Sequence, residues 1–306
     1  MKACLGCGSI LQDSNPDNLG YTPDIANSLC QRCFKLKHYG SNNSVSKKQD
    51  NKKIVSKINK EKGLVLFIVD FLNLYQDVID IFKSIIGPKC FIITKSDLIP
   101  KNIKKDKLEE NIKNVYGINE KIIFVSSKFK DNFSLLDNIS KNYKKVILCG
   151  VTNAGKSSII NTWIGSDITV SKSINTTQEF MYLNVDEKVI VDTPGFITKI
   201  YKSDVANKKI KPLTYQLQNR YFLQIADINI AALDDVNLTI YLNNTLNVSK
   251  RRIKTDFAYD IIIPEKSDLI IKGLGFIKFS KNAKISLNIA SDYFEIRPTI
   301  IGGNHE

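Results

Sequence analysis

Hydrophobic and polar positions alternate in blocks between residues 63 and 164. Four continuous apolar runs are typical of strands that are buried on both faces of a parallel sheet. These runs occupy residues 63–70, 89–94, 121–128 and 145–150. Three segments between them carry apolar residues at helical spacing, namely 78–86, 104–115 and 132–142. Because strands alternate with helices, the pattern predicts an α/β domain with a mostly parallel sheet.

The pattern changes beyond residue 200, where short β-like runs are separated by Asn, Gly and Pro. The runs occupy residues 228–233, 238–242, 259–264, 268–279, 283–290 and 293–301. They predict an antiparallel, β-rich domain. Upstream, residues 41–62 are polar and rich in Lys, Asn and Ser, which is typical of a linker with a short helix at its end. We therefore divide the chain into an N-terminal segment (1–40), a linker (41–62), an α/β domain (63–200) and a C-terminal β-rich domain (201–306).

Composition narrows the class of protein. With 306 residues, 43% hydrophobic and 25% charged, the chain has the length for two or three globular domains. A formal net charge of +13 favours a polyanionic partner, and nucleic acid over a membrane surface. The alternative cause is an AT-rich genome, because Lys, Asn and Ile are abundant while Arg is scarce. No apolar run reaches the roughly 18 residues of a membrane span, and no apolar signal-peptide region precedes Cys4, so we expect a cytoplasmic protein.

Two CxxC pairs lie near the N-terminus, Cys4 with Cys7 and Cys30 with Cys33. Each tight turn directs two thiolates at one point, and two such pairs complete a tetrahedral sulfur shell that suits structural zinc. Metal binding also explains how so short a segment folds without a large core. We therefore predict an N-terminal Cys4 zinc-finger domain. A disulfide pair or a redox CxxC is the alternative, although the redox motif normally accompanies a βαβ pattern that this segment lacks.

Residues 150–158 read GVTNAGKSS and connect an apolar run to a helical stretch. This order of strand, glycine-rich turn and helix is that of a phosphate loop, in which backbone amides and the helix N-terminus face the phosphates. Lys156 is expected to reach the β- and γ-phosphates, and Ser157 to bind Mg²⁺. The residues of this loop that we expect to contact nucleotide are Gly150, Asn153, Ala154, Gly155, Lys156, Ser157 and Ser158.

A second element for the phosphate side lies downstream, where VIVDTPG (189–195) predicts a strand that ends in Asp-x-x-Gly. Asp192 is expected to hold Mg²⁺ through water, and the Gly195 amide to contact the γ-phosphate. Paired threonines lie between the two elements. We choose Thr177 to complete the Mg²⁺ shell, with Thr176 as the alternative.

The sequence TKSD at 94–97 is the candidate loop for reading the base. The carboxylate of Asp97 suits guanine, because it accepts two parallel hydrogen bonds from the ring N–H and the exocyclic amine, a donor pair that adenine lacks. The stem of Lys95 can lie over the base. Thr94 stands where GTPases usually have Asn, so we expect a modest nucleotide affinity. A loop at the end of the next strand completes the predicted base site with Ser126, Ser127 and Lys128.

Phe196 occupies the place where many GTPases have a Gln that orients the attacking water. An apolar side chain cannot orient water by hydrogen bonding, so we expect slow intrinsic hydrolysis that borrows groups from a cation or a partner. Asn153 resembles the K⁺ ligand of GTPases that carry this substitution. The candidate catalytic residues are therefore Lys156, Asn153 and Thr177.

These elements occur in an unusual order. In a GTPase the base loop normally lies far downstream of the phosphate loop, whereas here TKSD precedes it. A parallel sheet tolerates such a reordering when the old termini lie close together and are joined. The sequence therefore predicts a circularly permuted P-loop GTPase domain.

The chain resembles the YqeH-type circularly permuted GTPases of ribosome assembly, which are related to the plant and mitochondrial NOA-type proteins. The motifs that carry the resemblance are CLGCGSILQ, GYTPD, LCQRCFKLKHYG, TKSDLIP, GVTNAGKSSIIN, DTPGF and DLIIKGLGFIKF. The resemblance implies GTP and GDP binding, hydrolysis with Mg²⁺, a zinc site, and assembly of the small ribosomal subunit through its precursor particle and rRNA. The chain departs from the family at Thr94, at INTT (174–177), where Pro-Gly usually precedes the threonines, and at Phe276, where Trp is common.

The C-terminal domain is expected to contact rRNA through the basic positions 250–254, Lys272, Lys278, Lys281 and Lys284. Ordinary solvated lysines are the alternative. Because DTPGF leads directly into this domain, nucleotide state is expected to reposition it in a monomeric protein.

Two other functions stay open. One is a nucleotide-independent, zinc-containing RNA-binding scaffold. The other is a metabolic P-loop kinase, which would need a set of lid arginines in a chain with few Arg residues.

Overall fold

The computed structural model describes residues 2, 4, 10–16, 20–31, 50–164, 171–173, 180–185, 187–202, 206, 208–252 and 259–302. The chain divides into two compact units, Met1–Gln49 and Asp50–Glu306. No helix in these described ranges is long and apolar enough to cross a membrane.

The N-terminal unit is held by backbone contacts and a small core. Gln12 and Tyr21 form an isolated parallel β-bridge. Backbone hydrogen bonds from Thr22 to Gln12 and from Gln31 to Tyr21 extend this contact. Cys4, Leu11 and Cys30 form a buried cluster beside it.

The larger unit contains a seven-stranded sheet. Its strands are β1 (Leu64–Asp70), β2 (Lys89–Thr94), β3 (Ile122–Phe124), β4 (Lys145–Gly150), β5 (Ser171–Ser173), β6 (Met181–Val185) and β7 (Lys188–Asp192). Their order across the sheet is β3-β2-β1-β4-β7-β6-β5. The strands from β3 to β7 in this order are parallel, and β6 and β5 add antiparallel pairs at one edge. The predicted α/β domain with a mostly parallel sheet is confirmed, and the antiparallel edge was not predicted.

In the described part of the larger unit, five helices accompany the sheet: α1 (Asn51–Lys60), α2 (Gln76–Ser84), α3 (Lys105–Tyr116), α4 (Phe133–Ser140) and α5 (Lys156–Ile164). The first of them begins where the carboxylate of Asp50 accepts a hydrogen bond from the Lys52 amide, which satisfies a free donor of the first turn. Ile54 and Ile58 lie one turn apart on α1 and are buried in the main core. The short helix expected at the end of the 41–62 linker is thus present as α1, and residues 51–60 pack as part of the larger unit.

The described residues of the C-terminal part form ten strands: β8 (Leu213–Leu217), β9 (Tyr221–Ile225), β10 (Ile228–Ala232), β11 (Val236–Leu242), β12 (Val248–Arg252), β13 (Tyr259–Ile263), β14 (Ser267–Ile271), β15 (Gly275–Phe279), β16 (Ala283–Leu287) and β17 (Phe294–Pro298). They build two five-stranded antiparallel sheets, with the orders β12-β9-β10-β16-β13 and β17-β14-β15-β11-β8. Side chains of both sheets, such as Leu223 and Ile277, share one hydrophobic core. The predicted β-rich, antiparallel character is confirmed.

Strands β14 and β15 lie in a part of their sheet that is covered on both faces. One face belongs to the β-rich core, and the other packs on the α/β core through Tyr241, Ile270 and Phe276. The ring of Phe276 stacks on Tyr241 with a centroid separation of 5.0 Å, and lies edge-on to Phe71 at 5.7 Å. Phe276, where Trp is common in the resembling family, is thus an interface residue between the two halves of the larger unit.

A buried ion pair lies at the same interface. Arg297 on β17 donates from Nε to the Asp268 carboxylate at 3.1 Å, and its Nη1 donates to the Leu74 carbonyl and the Tyr116 hydroxyl. Asp268 also accepts from the Ile300 amide. Both charged side chains are almost fully buried, so each depends on these partners for its solvation.

Candidate nucleotide-binding site

The order of the strands brings the predicted loops to one edge of the sheet. Strands β2, β1, β4 and β7 are consecutive neighbours and run in the same direction. Their carboxyl ends carry Thr94, Asp70, Gly150 and Asp192. Because ligands of open α/β sheets bind at this edge, the base loop and the phosphate loop meet in space although they are separate in the sequence.

The phosphate loop has the backbone that its sequence requires. Asn153 and Gly155 have φ values of +64° and +89°, and left-handed backbone of this kind favours Gly and, among other residues, Asn. Gly150 has a φ of +153°, and a Cβ at this position would lie 2.0 Å from the Ile68 carbonyl oxygen. No side chain is therefore tolerated at Gly150, because the loop leaves β4 in close contact with β1.

Thr94 joins the two loops. Its hydroxyl donates to the carbonyl oxygen of Ala154 in the phosphate loop and lies 3.2 Å from the Val69 carbonyl. Both Thr94 and Ala154 are buried. Thr94, which is shorter than the Asn usual at this position, thus still contacts the phosphate loop directly.

Lys95 makes a second connection between the loops. Its ammonium lies 3.3 Å from the Asn153 carbonyl and 3.3 Å from the carboxylate of Asp70. Asp70 is buried at the end of β1 and also accepts from the Leu72 amide and the Asn73 side chain. Asp70 was not among the predicted site residues. The feature that could have identified it is a carboxylate at the end of a continuous apolar strand.

Asp97 is oriented by the second predicted base loop. The hydroxyl of Ser126 donates to one carboxylate oxygen of Asp97 at 2.7 Å, and Ser126 is buried. The other carboxylate oxygen keeps its acceptor capacity for a ligand. Ser127 and Lys128 follow directly in this loop, and the ammonium of Lys128 lies 5.4 Å from the ring centroid of Phe129.

On the phosphate side, Lys156 forms an ion pair with Asp192. This contact joins the start of α5 to the end of β7, so the phosphate-binding lysine and the carboxylate expected near Mg²⁺ face the same space. Ser157 and Ser158 are exposed in the first turn of α5. Asp192 and Ser157 provide the oxygen ligands that Mg²⁺ prefers. Thr176 and Thr177 lie outside the described residues.

The Asp-x-x-Gly segment is attached to the phosphate loop by two backbone hydrogen bonds. The Phe196 amide donates to the Gly150 carbonyl at 2.8 Å, and the Thr152 amide donates to the Phe196 carbonyl at 3.0 Å. A Cβ on Gly195 would lie 3.0 Å from the methyl group of Thr152. The Phe196 ring is fully buried and stacks on Phe67 with a centroid separation of 5.9 Å, so it belongs to the core.

Cys4 and Cys30, which come from the two different CxxC pairs, lie together. The Cys30 amide donates to the Cys4 sulfur at 3.1 Å, and both residues are buried. Cys7 and Cys33 lie outside the described residues. Within the described ranges, no group of three or more His, Cys, Asp or Glu side chains is arranged to hold a metal ion.

The basic surface predicted for the C-terminal domain needs one correction. Lys272 is buried, and its ammonium forms an ion pair with Asp77 on α2 at 2.8 Å. It therefore anchors the interface between the two halves of the larger unit and is unavailable to RNA. By contrast, Arg251, Arg252, Lys281 and Lys284 are exposed.

Two family models match the chain. The model described as "RsgA GTPase" matches residues 42–200, and the model described as "50S ribosome-binding GTPase" matches residues 145–258. The second match begins at the first residue of β4, so it contains the phosphate loop but not the base loop that precedes it. The first match contains both loops in their reversed order.

Similar curated proteins come from bacteria and mammals. The uncharacterized protein YqeH of Bacillus subtilis is 29% identical over 285 aligned residues, covering 82% of this chain and 78% of that protein. Nitric oxide-associated protein 1 of Mus musculus is 25% identical over 276 residues, covering 71% of this chain and 38% of that protein. The small ribosomal subunit biogenesis GTPase RsgA of Clostridium botulinum is 28% identical over 136 residues, covering 42% of this chain and 44% of that protein. The matched part is thus most of YqeH but less than half of the other two relatives.

Proposed function

Since the chain belongs to the RsgA GTPase family, we propose that it binds and hydrolyses GTP as a cytoplasmic assembly factor for the small ribosomal subunit. The observation that carries the proposal is the hydrogen bond from Thr94 to Ala154. It connects the loop that can read guanine to the loop that can hold phosphates, which supports the proposal that one nucleotide spans both.

Each end of the nucleotide has a defined receptor in this proposal. Asp97, oriented by Ser126, accepts hydrogen bonds from guanine, while the stem of Lys95 lies against the base. Lys156 exchanges its contact with Asp192 for the β- and γ-phosphates. Mg²⁺, held through Ser157 and Asp192, with Thr177 as the expected third protein ligand, would neutralise the charge that develops during phosphoryl transfer.

The group that activates the attacking water is not expected to come from the Asp-x-x-Gly segment or from the Phe196 side chain that follows it. Phe196 is buried and has no hydrogen-bonding group in its side chain, so it cannot orient water. We propose K⁺, bound with the help of Asn153, or the ribosomal particle as the source of the missing group. If replacing K⁺ by Na⁺ leaves the hydrolysis rate unchanged both with and without ribosomal particles, K⁺ is not the activator.

A structural zinc ion in the N-terminal unit is the second part of the proposal. The amide-to-sulfur hydrogen bond between Cys30 and Cys4 is the kind of outer contact that stabilises a thiolate ligand. It brings one cysteine of each CxxC pair to the same place, as a zinc site made of four cysteines requires. Cys7 and Cys33 are the proposed remaining ligands.

The nucleotide response is proposed to pass along residues 192–202. From the phosphate loop this segment continues to Thr198, whose hydroxyl contacts the Tyr75 hydroxyl at 2.6 Å, and to Tyr201, whose amide donates to the Lys272 carbonyl. It thus connects the γ-phosphate side to the end of β14, which Lys272 directly follows. The buried contacts of Arg297 and Phe276 limit the size of any movement of the β-rich half.

The matching family model and the matching relative are associated with different ribosomal subunits. One family model is described as binding the 50S subunit, whereas the Clostridium botulinum relative is named for the small subunit. We favour the small subunit, because the RsgA model covers both nucleotide loops while the other model covers only one. Sedimentation of tagged protein through a gradient that separates subunits, with GDP or a non-hydrolysable GTP analogue, tests this choice.

The expected result of that experiment is co-sedimentation with immature small subunits that depends on the nucleotide. Association of Lys156→Ala that equals wild type under every nucleotide condition would instead support the nucleotide-independent scaffold. An Asp97→Ala protein with unchanged nucleotide affinity would remove the guanine-specific part of the proposal and leave the P-loop kinase as the better reading.

A further inference from the structure

A cavity of about 650 Å³ lies behind the base loop. Asp97 and Ser126 form one wall of it, and the rest is lined by the loop before α3, the loop before α4 and Lys209. Lys95, the phosphate loop and Lys128 do not contribute to its lining. The cavity is therefore a neighbour of the predicted guanine site and shares only the Asp97–Ser126 wall with it.

The lining of this cavity is strongly basic. Lys101, Lys105, Lys130 and Lys209 line it against two carboxylates, those of Asp97 and Asp131. Lys105 is paired with Asp131 at 3.3 Å, but both side chains are about half exposed, so this pair offsets little of the charge. An excess of positive charge at a concave surface attracts an anion.

Two helix N-termini add to the positive potential. Both α3 and α4 begin at the cavity, through Lys105 and through Asn132, and neither has a side-chain cap. The free N–H groups of a first helical turn favour an anion. Lysines at the N-terminus of α3 lie at the positive end of the helix dipole and destabilise the helix. Residues that reduce stability in this way are common at functional sites.

Ser96 provides an independent sign of a ligand. It lines the cavity, is 4% exposed, and its hydroxyl has no hydrogen-bond partner within the described part of the chain. Buried hydroxyls are normally hydrogen-bonded, because leaving one unsatisfied costs free energy. An oxygen of a bound group would satisfy it once the side chain rotates toward the cavity.

Phe129 indicates what kind of anion fits. Its ring is 68% exposed at the rim of the cavity and is flanked in sequence by Lys128 and Lys130. An exposed aromatic ring among lysines is the arrangement on which an unpaired nucleic-acid base stacks while its phosphates meet the cations. Inorganic phosphate would use the lysines but would leave the ring uncovered.

From these contacts we infer that the cavity behind the base loop binds single-stranded RNA, with a phosphate among Lys101, Lys105, Lys130 and Lys209 and a base stacked on Phe129. The inference deepens the proposed function, on which it rests, by assigning an RNA contact to the α/β half of the protein. The basic strands of the C-terminal part are a separate surface.

The test is fluorescence anisotropy of a labelled single-stranded RNA 12-mer, titrated with full-length protein saturated with GDP and Mg²⁺. Phe129→Ala is expected to weaken binding about fivefold or more, because a stacked base is lost, and Phe129→Trp is expected to restore it. The matched control is Ile86→Ala, another highly exposed apolar side chain, which lies before the amino end of β2 and should bind RNA like wild type.

A second variant addresses the phosphate contacts. Lys101→Ala combined with Lys130→Ala should weaken binding and lower the slope of log affinity against log salt by about 1.4, the value for two phosphates of a single strand. Lys141→Ala combined with Lys144→Ala, two exposed lysines near the amino end of β4, is the control. An RNA duplex of the same sequence should show little effect of Phe129→Ala.

Several results would overturn the inference: no binding of the single strand by wild type, wild-type affinity in both cavity variants, or equal losses in the controls. Free phosphate that competes fully at low millimolar concentration while Phe129→Ala is silent would identify a simple anion site instead. GDP affinity is measured on the same proteins. Failure of wild type to bind GDP would refute the proposed function, whereas normal GDP binding with unaffected RNA binding in the variants would refute only this inference.

Discussion

The Thr94 hydroxyl is the smallest group on which the nucleotide site depends. It donates to the Ala154 carbonyl, and both residues are buried. Thr94→Val keeps the shape of the side chain but leaves this carbonyl without its donor. We expect GDP affinity to fall about three- to tenfold in a calorimetric titration, while Thr94→Ser stays close to wild type. Equal affinities of wild type and Thr94→Val would show that the loops are held together by other contacts.

Glu61 provides a residue-scale prediction about pH. It accepts hydrogen bonds from Lys145 at 2.6 Å and Tyr182 at 2.7 Å, and so attaches the end of α1 to β4 and β6. Burial raises the pKa of Glu61, but these hydrogen bonds and nearby lysine charges outweigh it and leave the pKa below the ordinary 4.5. The folded state therefore holds the proton less tightly than the unfolded state, so the stabilisation is present above pH 4.5 and is lost as pH falls through the lowered pKa.

The measurement is urea unfolding of wild type and Glu61→Gln at several pH values. The variant should be less stable than wild type at pH 7, and the difference should shrink as the pH falls well below 4.5. A difference that is constant across this range would mean that the charge of Glu61 contributes nothing.

Residues whose role depends on neighbours that are distant in the sequence were the hardest to predict. The phosphate loop, Asp97 and Asp192 were recognisable because each stands at a fixed position in a short motif. Asp70 and Ser96 were missed as site residues, because their significance depends on neighbours that are distant in sequence: Lys95 for Asp70, and a cavity for Ser96.

At the scale of elements, the contact between strands β14 and β17 and the α/β half is fixed by Arg297 and Asp268. Arg297→Ala leaves the buried carboxylate without its cation, so we expect a loss of about 3–5 kcal/mol in the free energy of unfolding. Replacing both residues by Leu should cost less than the single change, because no buried charge is left unpaired. Denaturant unfolding of the three proteins measures this; a single variant within about 1 kcal/mol of wild type would contradict it.

The N-terminal unit carries the prediction about metal. Purified protein should contain one zinc ion per chain by elemental analysis. The variants Cys4→Ser and Cys30→Ser should lose it, because a shell of four cysteines needs every thiolate. Cys90→Ser is the control, since Cys90 is buried in the α/β core and burial raises its thiol pKa. Zinc that persists in both N-terminal variants would exclude the proposed site.

Strands that are buried on both faces were easier to predict from the sequence than exposed ones. Strands β1, β2 and β4 are covered on both faces and appear as continuous apolar runs, so they were predicted directly. Strands β8, β9 and β12 were missed. β8 and β12 are sheet edges with mostly exposed residues, and no apolar run marks them, whereas β9 lies inside its sheet and was simply not identified. The polar stretch at 51–60 looked like a linker because α1 buries only one narrow stripe, at Ile54 and Ile58.

At the scale of the whole molecule, the permuted order places the phosphate side directly before the β-rich half. Limited proteolysis with GDP and with a non-hydrolysable GTP analogue should give different cleavage rates along residues 192–202, because the γ-phosphate and Mg²⁺ act on this segment. Cleavage within β14 and β17 should not change, since the Arg297 interface holds them. Identical digestion patterns with both nucleotides would exclude the proposed response.

The central claim is that Asp97 and Lys156 hold the two ends of one guanine nucleotide, although the chain reaches them in reversed order. Calorimetric titration with guanosine and xanthosine diphosphates tests it most directly. Asp97→Asn should lose affinity for GDP and gain it for the xanthine nucleotide, because an amide donates where the carboxylate accepted. Lys156→Ala should weaken both ligands, since it removes the phosphate contact. GDP affinities that match wild type in both variants would contradict the account.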